Sequence, residues 1–229
     1  MRMIVRYFHF IYIAIVLVVV VIMPLSRCQF RGVMSAVDMA QEPLLAEGEY
    51  IISPYDNIFR RVCSRHHLDW TLMSAIASCE SRFDPNARSE RGAVGLMQVM
   101  PHIARHWDVA ADELLDVAIN IDVSCRIYRS TRRQLMLPRD IDPMDAVAFT
   151  IAAYNCGASR VTDARNLAEY YDDDKNEWDV VSEYLLLLSD PDFYEHEAVV
   201  GGKFGEPHIT IAYTNRVLKR YENFSKRVN

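Results

Sequence analysis

The sequence predicts a mainly α-helical single domain behind an N-terminal hydrophobic segment. From about residue 50 onward, apolar residues recur at helical spacing between capping residues, prolines and glycines. No stretch shows the sustained apolar–polar alternation that is typical of half-buried strands. Apolar residues make up 51% of the 229-residue chain, which excludes a globally disordered protein. We therefore expect three parts: a segment at 1–28, a linker at 29–49 and the folded domain at 50–229.

The first 28 residues have the composition of a signal or membrane-anchor segment. They carry Arg2, Arg6 and Arg27 but no acidic residue, and Tyr7–Ser26 contains no Lys, Arg, Asp or Glu. As a helix, this stretch would reach about 30 Å, the thickness of a bilayer's hydrocarbon core. Leu25-Ser26-Arg27-Cys28 resembles a lipoprotein signal, although Arg27 stands where a small residue is usual. Two interpretations stay open, a retained transmembrane anchor and a lipid on Cys28, and both predict a membrane-anchored domain on the periplasmic face of the cell envelope.

Each expected helix begins at a capping residue or a proline, or follows directly on a loop or on the preceding helix. In chain order they are Ser53 to about His66, Asp69 to before Pro85, a short helix from Pro101, Asn120 to about Leu135, Asp142 to about Gly157, one from about Ala158, Trp178 to Leu188, and Pro207 to Phe224. A loop at 89–99 contains Gly92 and Gly95, and an acidic irregular stretch spans 170–179.

Charge and ligand spacing exclude some function classes. The net charge is −6, and the domain without its N-terminal segment is more acidic still, which argues against nucleic-acid binding. His102 and His106 are four residues apart, but no cysteine or carboxylate at ligand spacing completes a metal site. Four cysteines fall in or beside predicted helices, which favours free thiols in the core: Cys63, Cys79, Cys125 and Cys156. A disulfide bridge between two of them is the alternative if the domain lies outside the cytoplasm. We expect no metal and no cofactor, and a monomer.

Three segments carry side chains suited to chemistry. Glu80 falls at the C-terminal end of an apolar helix, where the helix dipole and burial both raise a carboxyl pKa and so suit it to donate a proton. The glycines of the loop at 89–99 allow a ligand to approach its backbone, and Gln98 offers amide donors and an acceptor there. Tyr154 and Asn155 end a later helix and can present polar tips to a cleft.

Together these segments resemble the catalytic domain of the soluble lytic transglycosylase family, which acts on bacterial peptidoglycan. The blocks are Glu80-Ser81-Arg82-Phe83-Asp84-Pro85-Asn86-Ala87, Ser89, Gly95-Leu96-Met97-Gln98 and Ala153-Tyr154-Asn155-Cys156-Gly157, in order and with the family's spacing. The resemblance continues in Asn120-Ile121, Arg160-Val161 and Tyr213-Thr214-Asn215-Arg216-Val217. The stretch at 176–189 is most similar to the membrane-bound subgroup F of the family.

The resemblance implies a lysozyme-like fold and cleavage of peptidoglycan glycan strands between N-acetylmuramic acid and N-acetylglucosamine, with 1,6-anhydromuramyl ends. It implies that Glu80 is the catalytic acid and base. Asp84 directly precedes Pro85, so we expect it to form a turn rather than to act as a second catalytic group. The implied substrate-binding residues are Ser89, Met97, Gln98, Tyr154, Asn155 and Tyr213. Ser89 is expected to bond near the Glu80 carboxyl, and Tyr213 to close the groove beside Glu80.

Two departures and two alternatives remain. Cys156 replaces the family's usual alanine, and Ile209-Thr210 stands where a Glu-Thr pair is common before Tyr213. A goose-type lysozyme shares the helical architecture and a lone catalytic Glu, but it hydrolyses the same bond and leaves a reducing end. A catalytically silent peptidoglycan-binding scaffold is the non-enzymatic alternative, and the presence of Glu80, Ser89, Gln98 and Tyr154 argues against it.

Overall fold

A computed structural model describes residues 44–46 and 49–228 of the chain. The predicted signal or anchor at 1–28, with Cys28, and most of the linker lie outside these residues. Among the helices described, none is both long and apolar enough to span a bilayer.

The described chain is mainly helical, as the sequence predicts. The helices are α1 Asp56–His66, α2 Trp70–Glu80, α3 Pro101–Ala104, α4 Val117–Gln134, α5 Pro143–Cys156, α6 Ala158–Tyr170, α7 Trp178–Leu187, α8 Pro191–Tyr194 and α9 Pro207–Val228. Short 3-10 turns lie at Arg105–Trp107 and Glu113–Leu115. No strand occurs within residues 49–228, where the β-type pairings are the isolated bridges of Val94 with Arg88 and with Val99.

Two of the predicted caps hold their helices as expected. The Asp69 carboxylate accepts a hydrogen bond from the backbone N–H of Thr71 at 2.8 Å and begins α2. The Asp142 carboxylate accepts from the N–H of Met144 at 2.7 Å, and Pro143 supplies the first residue of α5. Both carboxylates pair with amides that have no partner inside the helix, and both lie near its positive end.

Two other predicted caps are wrong. Helix α1 begins at Asp56 rather than beside Ser53, and the buried Asp56 carboxylate accepts the N–H groups of Ile51 and Ser53 at 2.7 and 2.9 Å. Helix α4 begins at Val117 because Asp116 caps it, accepting from the N–H of Ile119 at 2.9 Å. Asn120 lies inside α4 and is fully buried, so its amide serves a tertiary contact instead of a helix end.

Helix α2 lies at the centre of the domain. Its residues from Trp70 to Ser78 are all buried, which requires neighbours on every side because a helix apolar all round cannot face water. Helices α1 and α9 pack against it. Two hydrophobic clusters form the core, one around α2 and one where α5, α6 and α7 meet. The Cys63 and Cys125 thiols meet in the first cluster, with their sulfurs 3.9 Å apart.

Helix α9 joins the two clusters and reaches the end of α2. Tyr213, Val217 and Phe224 belong to the first cluster, while Ile211 packs against the second. Side-chain bonds fix its register on α2, since Tyr221 Oη donates to Asp69 at 2.7 Å. The last long helix therefore packs along α2, from the residue that caps its beginning.

Candidate active site

Glu80 is the last residue of the buried helix α2. The N–H of Ser81 bonds to the carbonyl of Ala77, and the chain then turns through Arg82 and Phe83, which have φ values of 57° and 66°. Two consecutive non-glycine residues in the left-handed region cost energy, and such strain clusters at functional sites. Phe83 packs edge-on against Phe59 with ring centroids 6.4 Å apart, so core packing holds this turn and with it the Glu80 side chain.

The Glu80 carboxyl is half-buried and has one tyrosine partner. Tyr213 Oη donates a hydrogen bond to Glu80 Oε1 at 2.6 Å, across 133 residues of sequence. Burial raises the pKa of Glu80 to about 7, and the bond from Tyr213 opposes that rise because it stabilises the ionised form. A carboxyl with this pKa holds a proton at neutral pH and can also accept one, as general acid–base catalysis requires.

The loop at 87–98 is connected to the end of α2, where Glu80 lies, and hydrogen bonds from its own side chains stabilise it. Ser81 Oγ donates to the carbonyl of Leu96 at 2.7 Å and so ties the end of α2 to the loop. Gln98, at φ 48°, donates from Nε2 to the carbonyls of Ala87 and Gly95 at 3.1 and 3.0 Å. Ser89 Oγ accepts from the N–H of Ala93 at 3.0 Å. Hydrogen bonds within the protein therefore fix the conformation of this loop.

The buried side chain of Asn120 holds this loop in place through hydrogen bonds. Its Oδ1 accepts from the N–H of Met97 at 2.7 Å, and its Nδ2 donates to the carbonyls of Val94 and Leu114 at 3.1 and 2.9 Å. Gly95 lies directly on it with φ 81°, and a Cβ there would come within 2.5 Å of Asn120 Nδ2 and of the Leu114 carbonyl. The close approach and the positive φ both require glycine at this position.

Tyr154 and Asn155 lie at the end of α5. Burial raises the pKa of Tyr154, the negative charge of Glu80 adds to the rise, and a hydrogen bond with Ser124 opposes it. Tyr154 therefore lies near the Glu80 carboxyl. Asn155 is exposed, and its Oδ1 accepts from Thr210 Oγ1 of α9 at 2.7 Å. Tyr154 and Tyr213 thus lie near Glu80, and Ser81 connects the loop at 87–98 to the end of the same helix.

The structure places one of the predicted binding residues, Met97, differently from expectation. Met97 has a fully buried side chain in the hydrophobic core, so it supports the loop and offers no exposed surface to a groove. The hydroxyl of Ser89 bonds to Ala93, and its expected bond near Glu80 stays a prediction. Asp84 forms the expected turn, because its carboxylate accepts from the N–H of Asn86 at 2.9 Å.

Sequence reasoning missed three residues that position the site: Ser81, Asn120 and Thr210. The family resemblance contains a signal for each of them. Ser81 and Asn120 fall in blocks that match the family pattern, and Thr210 belongs to the Ile209-Thr210 pair that stands where a Glu-Thr pair is common. The sequence predicts a cap at Asn120 because Asn is favoured at helix N-termini. Asn is equally suited to a buried position where its amide makes hydrogen bonds, and the sequence does not distinguish the two cases. Within the part of the chain that the structure describes, no cluster of His, Cys, Asp or Glu could hold a metal ion.

A family model matches this site. The model described as the transglycosylase SLT domain matches residues 57–178, which include Glu80, the loop at 87–98 and the end of α5. The chain belongs to this family. Tyr213 lies beyond the matched residues, so the place of the last helix in the site comes from the structure.

Curated relatives agree with this assignment. The chain is 31% identical over 168 residues to the membrane-bound lytic murein transglycosylase F of Ectopseudomonas mendocina, covering 73% of this chain and 33% of that protein. It is 35% identical over 163 residues to the protein of the same name from Maricaulis maris, covering 71% and 34%. The chain therefore spans about one third of the length of these SLT-domain relatives.

A solved structure shares the fold. The 70 kDa soluble lytic transglycosylase of Escherichia coli matches with a TM-score of 0.53 at 23% identity, covering 75% of this chain and 24% of that chain. The SLT domain described here thus has the lysozyme-like helical fold that the sequence predicts.

Proposed function

We propose that this chain is a peptidoglycan lytic transglycosylase that cleaves the β-1,4 bond between N-acetylmuramic acid and N-acetylglucosamine. The observation that carries the proposal is the Glu80 carboxyl, which burial and the Tyr213 bond hold at a pKa of about 7 beside a preformed loop. Family membership and relatives named lytic murein transglycosylase support the same activity.

Glu80 performs both proton transfers of the reaction. Its protonated carboxyl donates a proton to the glycosidic oxygen as the bond to C1 of the muramyl residue breaks. The carboxylate then accepts the proton of the muramyl 6-hydroxyl, whose oxygen forms the new bond to C1. The carboxyl is restored, no water is consumed and the product is a 1,6-anhydromuramyl end. An attacking group on the same sugar has a high effective molarity, so the protein need not supply a nucleophile.

The residues around Glu80 position the glycan strand. Gln98, Tyr154, Asn155 and Tyr213 line the groove, and Ser89 receives the N-acetyl group of the substrate. Tyr213 also keeps the Glu80 carboxyl in one orientation through its 2.6 Å bond. The relatives are named membrane-bound, and we propose that this chain, too, is held at the periplasmic face of a membrane, as a monomer, by its N-terminal segment or by a lipid on Cys28.

Replacing Glu80 by Gln tests the proposal. The amide keeps the size of the side chain and still accepts the Tyr213 bond, but it can neither donate the catalytic proton nor take one up. We expect the release of anhydromuropeptides from purified peptidoglycan to fall by at least roughly 10²-fold, the usual contribution of general acid–base catalysis. The measurement is mass spectrometry of the soluble products, with circular dichroism to check that the variant is folded.

The same products separate the alternatives. A lysozyme gives reducing ends that are heavier than the anhydro product by one water, and a silent binding module gives no soluble product at all. Anhydro products from the folded Glu80→Gln variant at the wild-type rate would remove Glu80 from the mechanism.

A further inference from the structure

Arg216 is an exposed residue of α9 near the end of α2. It follows Tyr213 by three residues, so the two side chains lie on neighbouring positions of one helix face. Arg220, one turn further on, donates from Nη1 to Ser78 Oγ at 2.7 Å. Because Tyr213 meets Glu80 and Arg220 meets Ser78, Arg216 faces the end of α2 between these two contacts.

The charge of Arg216 reaches this end of α2 and stays available there. Burial raises the pKa of the Cys79 thiol, and the positive charges of Arg220 and Arg216 oppose that rise, so the Arg216 guanidinium lies within electrostatic range of the residue before Glu80. The pKa of Glu80 itself responds to burial and to Tyr213. Among the residues that the structure describes, Arg216 forms no hydrogen bond and no ion pair, whereas Lys226 on the same helix bonds to Glu222 at 2.7 Å.

We propose that Arg216 binds a carboxylate carried by the muramyl residue of the substrate, an inference that rests on the proposed function. The muramyl residue differs from N-acetylglucosamine by a lactyl group at C3, whose carboxyl is either free or linked to a peptide that carries further carboxylates. A guanidinium presents a rigid, planar pair of donors that matches a carboxylate. An exposed guanidinium near the end of α2, the helix that carries Glu80, is therefore placed to recognise the sugar at which cleavage occurs.

This subsite offsets the electrostatic repulsion between the protein and its substrate. The chain has a net charge of −6, and its substrate is also anionic, so the two repel each other at long range. Helix α9 is locally basic, with Arg216, Lys219 and Arg220 in consecutive turns before Glu222. A local positive charge at the groove holds the anionic strand and distinguishes it from a neutral β-1,4-linked glycan.

Binding in a Glu80→Gln background tests the inference without turnover. Arg216→Gln is compared with Lys219→Gln, which removes an exposed charge from the same helix three residues away. The three ligands are a peptide-bearing muramyl tetrasaccharide, the same compound after amidase treatment, and the neutral N-acetylglucosamine tetramer. Affinities come from isothermal titration calorimetry, and thermal melting verifies that each variant is folded.

We expect Arg216→Gln to weaken binding of at least one muramyl ligand by roughly 10-fold or more, as for loss of a hydrogen bond to a charged group, and to leave the neutral tetramer unchanged. A loss confined to the peptide-bearing ligand identifies a carboxylate of the peptide, and a loss confined to the amidase-treated ligand identifies the lactyl carboxylate. Equal losses for all three ligands, no loss, or the same losses with Lys219→Gln would overturn the inference. Anhydro product from the wild-type enzyme is measured in parallel, so a failure of the proposed function is recognised separately.

Discussion

Glu80 combines a catalytic advantage with a cost in stability. Burial raises its pKa from 4.5 to about 7, so the folded protein holds this proton at pH values where the unfolded chain has released it. Between these two values the folded state binds more protons, and stability therefore falls as the pH rises through this window. The property that suits the residue to proton donation thus destabilises the fold at neutral and alkaline pH.

The Glu80→Gln variant tests this cost. At pH 4 both proteins have a neutral side chain at this position, so their free energies of unfolding should be similar. At pH 8, above both pKa values, the variant should be more stable by on the order of 3 kcal/mol, since the pKa shift from 4.5 to about 7 is multiplied by about 1.4 kcal/mol per unit. Urea unfolding at the two pH values measures the difference. A variant that is less stable than wild type at pH 8 would contradict this account.

Tyr213 changes the pKa of the same carboxyl. Its bond stabilises the carboxylate, so Tyr213→Phe should raise the pKa of Glu80 further and move the alkaline limb of the pH–rate profile to higher pH. The turnover at the optimum should also fall, because the carboxyl loses the contact that orients it. The profile of anhydro product formation against pH measures both effects, and an unchanged alkaline limb would show that the bond does not tune Glu80.

The conformation of the loop at 87–98 depends on a glycine at position 95. Gly95→Ala should destabilise the protein by more than about 2 kcal/mol and displace the loop, because the new Cβ would meet Asn120 and the Leu114 carbonyl at 2.5 Å. Gly92→Ala is the matched control: Gly92 also has a positive φ, of 86°, but nothing lies within 4 Å of its Cβ position. The control should cost only about 1 kcal/mol. Equal effects in thermal melting would mean that the contact with Asn120 does not matter.

The helices were predictable where local chemistry decides them. Asp69 and the pair Asp142-Pro143 begin α2 and α5 as expected, since a cap acts on amides within its own first turn. Asn120 failed as a cap because Asp116, four residues earlier, caps the helix, and the buried amide bonds to a distant loop. Sequence position alone does not distinguish a capping amide from one that makes a tertiary contact.

The motif blocks name residues of the candidate site but not the contacts that they make. Tyr213 bonds to Glu80 and Tyr154 lies within electrostatic range of it, whereas the binding roles of Gln98 and Asn155 stay predictions. The bonds that create the environment of Glu80 join residues far apart in the chain, such as Tyr213 to Glu80 and Thr210 to Asn155. No local pattern encodes them, because they depend on how α9 packs against the rest of the domain. Met97 shows the converse case, a motif residue that packing places in the core.

At the scale of the whole domain, α9 is the element on which the other parts depend. It packs against both hydrophobic clusters, and it brings Tyr213 to Glu80 and Thr210 to Asn155. Stability and site geometry therefore share one helix. A change that loosens α9 is expected to weaken the core and the environment of Glu80 together.

The position of α9 in the sequence also determines when the enzyme can act during its own production. A chain that is synthesised and exported N-terminus first releases Glu80 early, but Tyr213 follows 133 residues later. Until α9 has docked, the Glu80 carboxyl lacks the tyrosine that orients it. On the proposed function, we therefore expect an unfinished chain to be inactive toward peptidoglycan, and activity to begin only once the complete chain has folded.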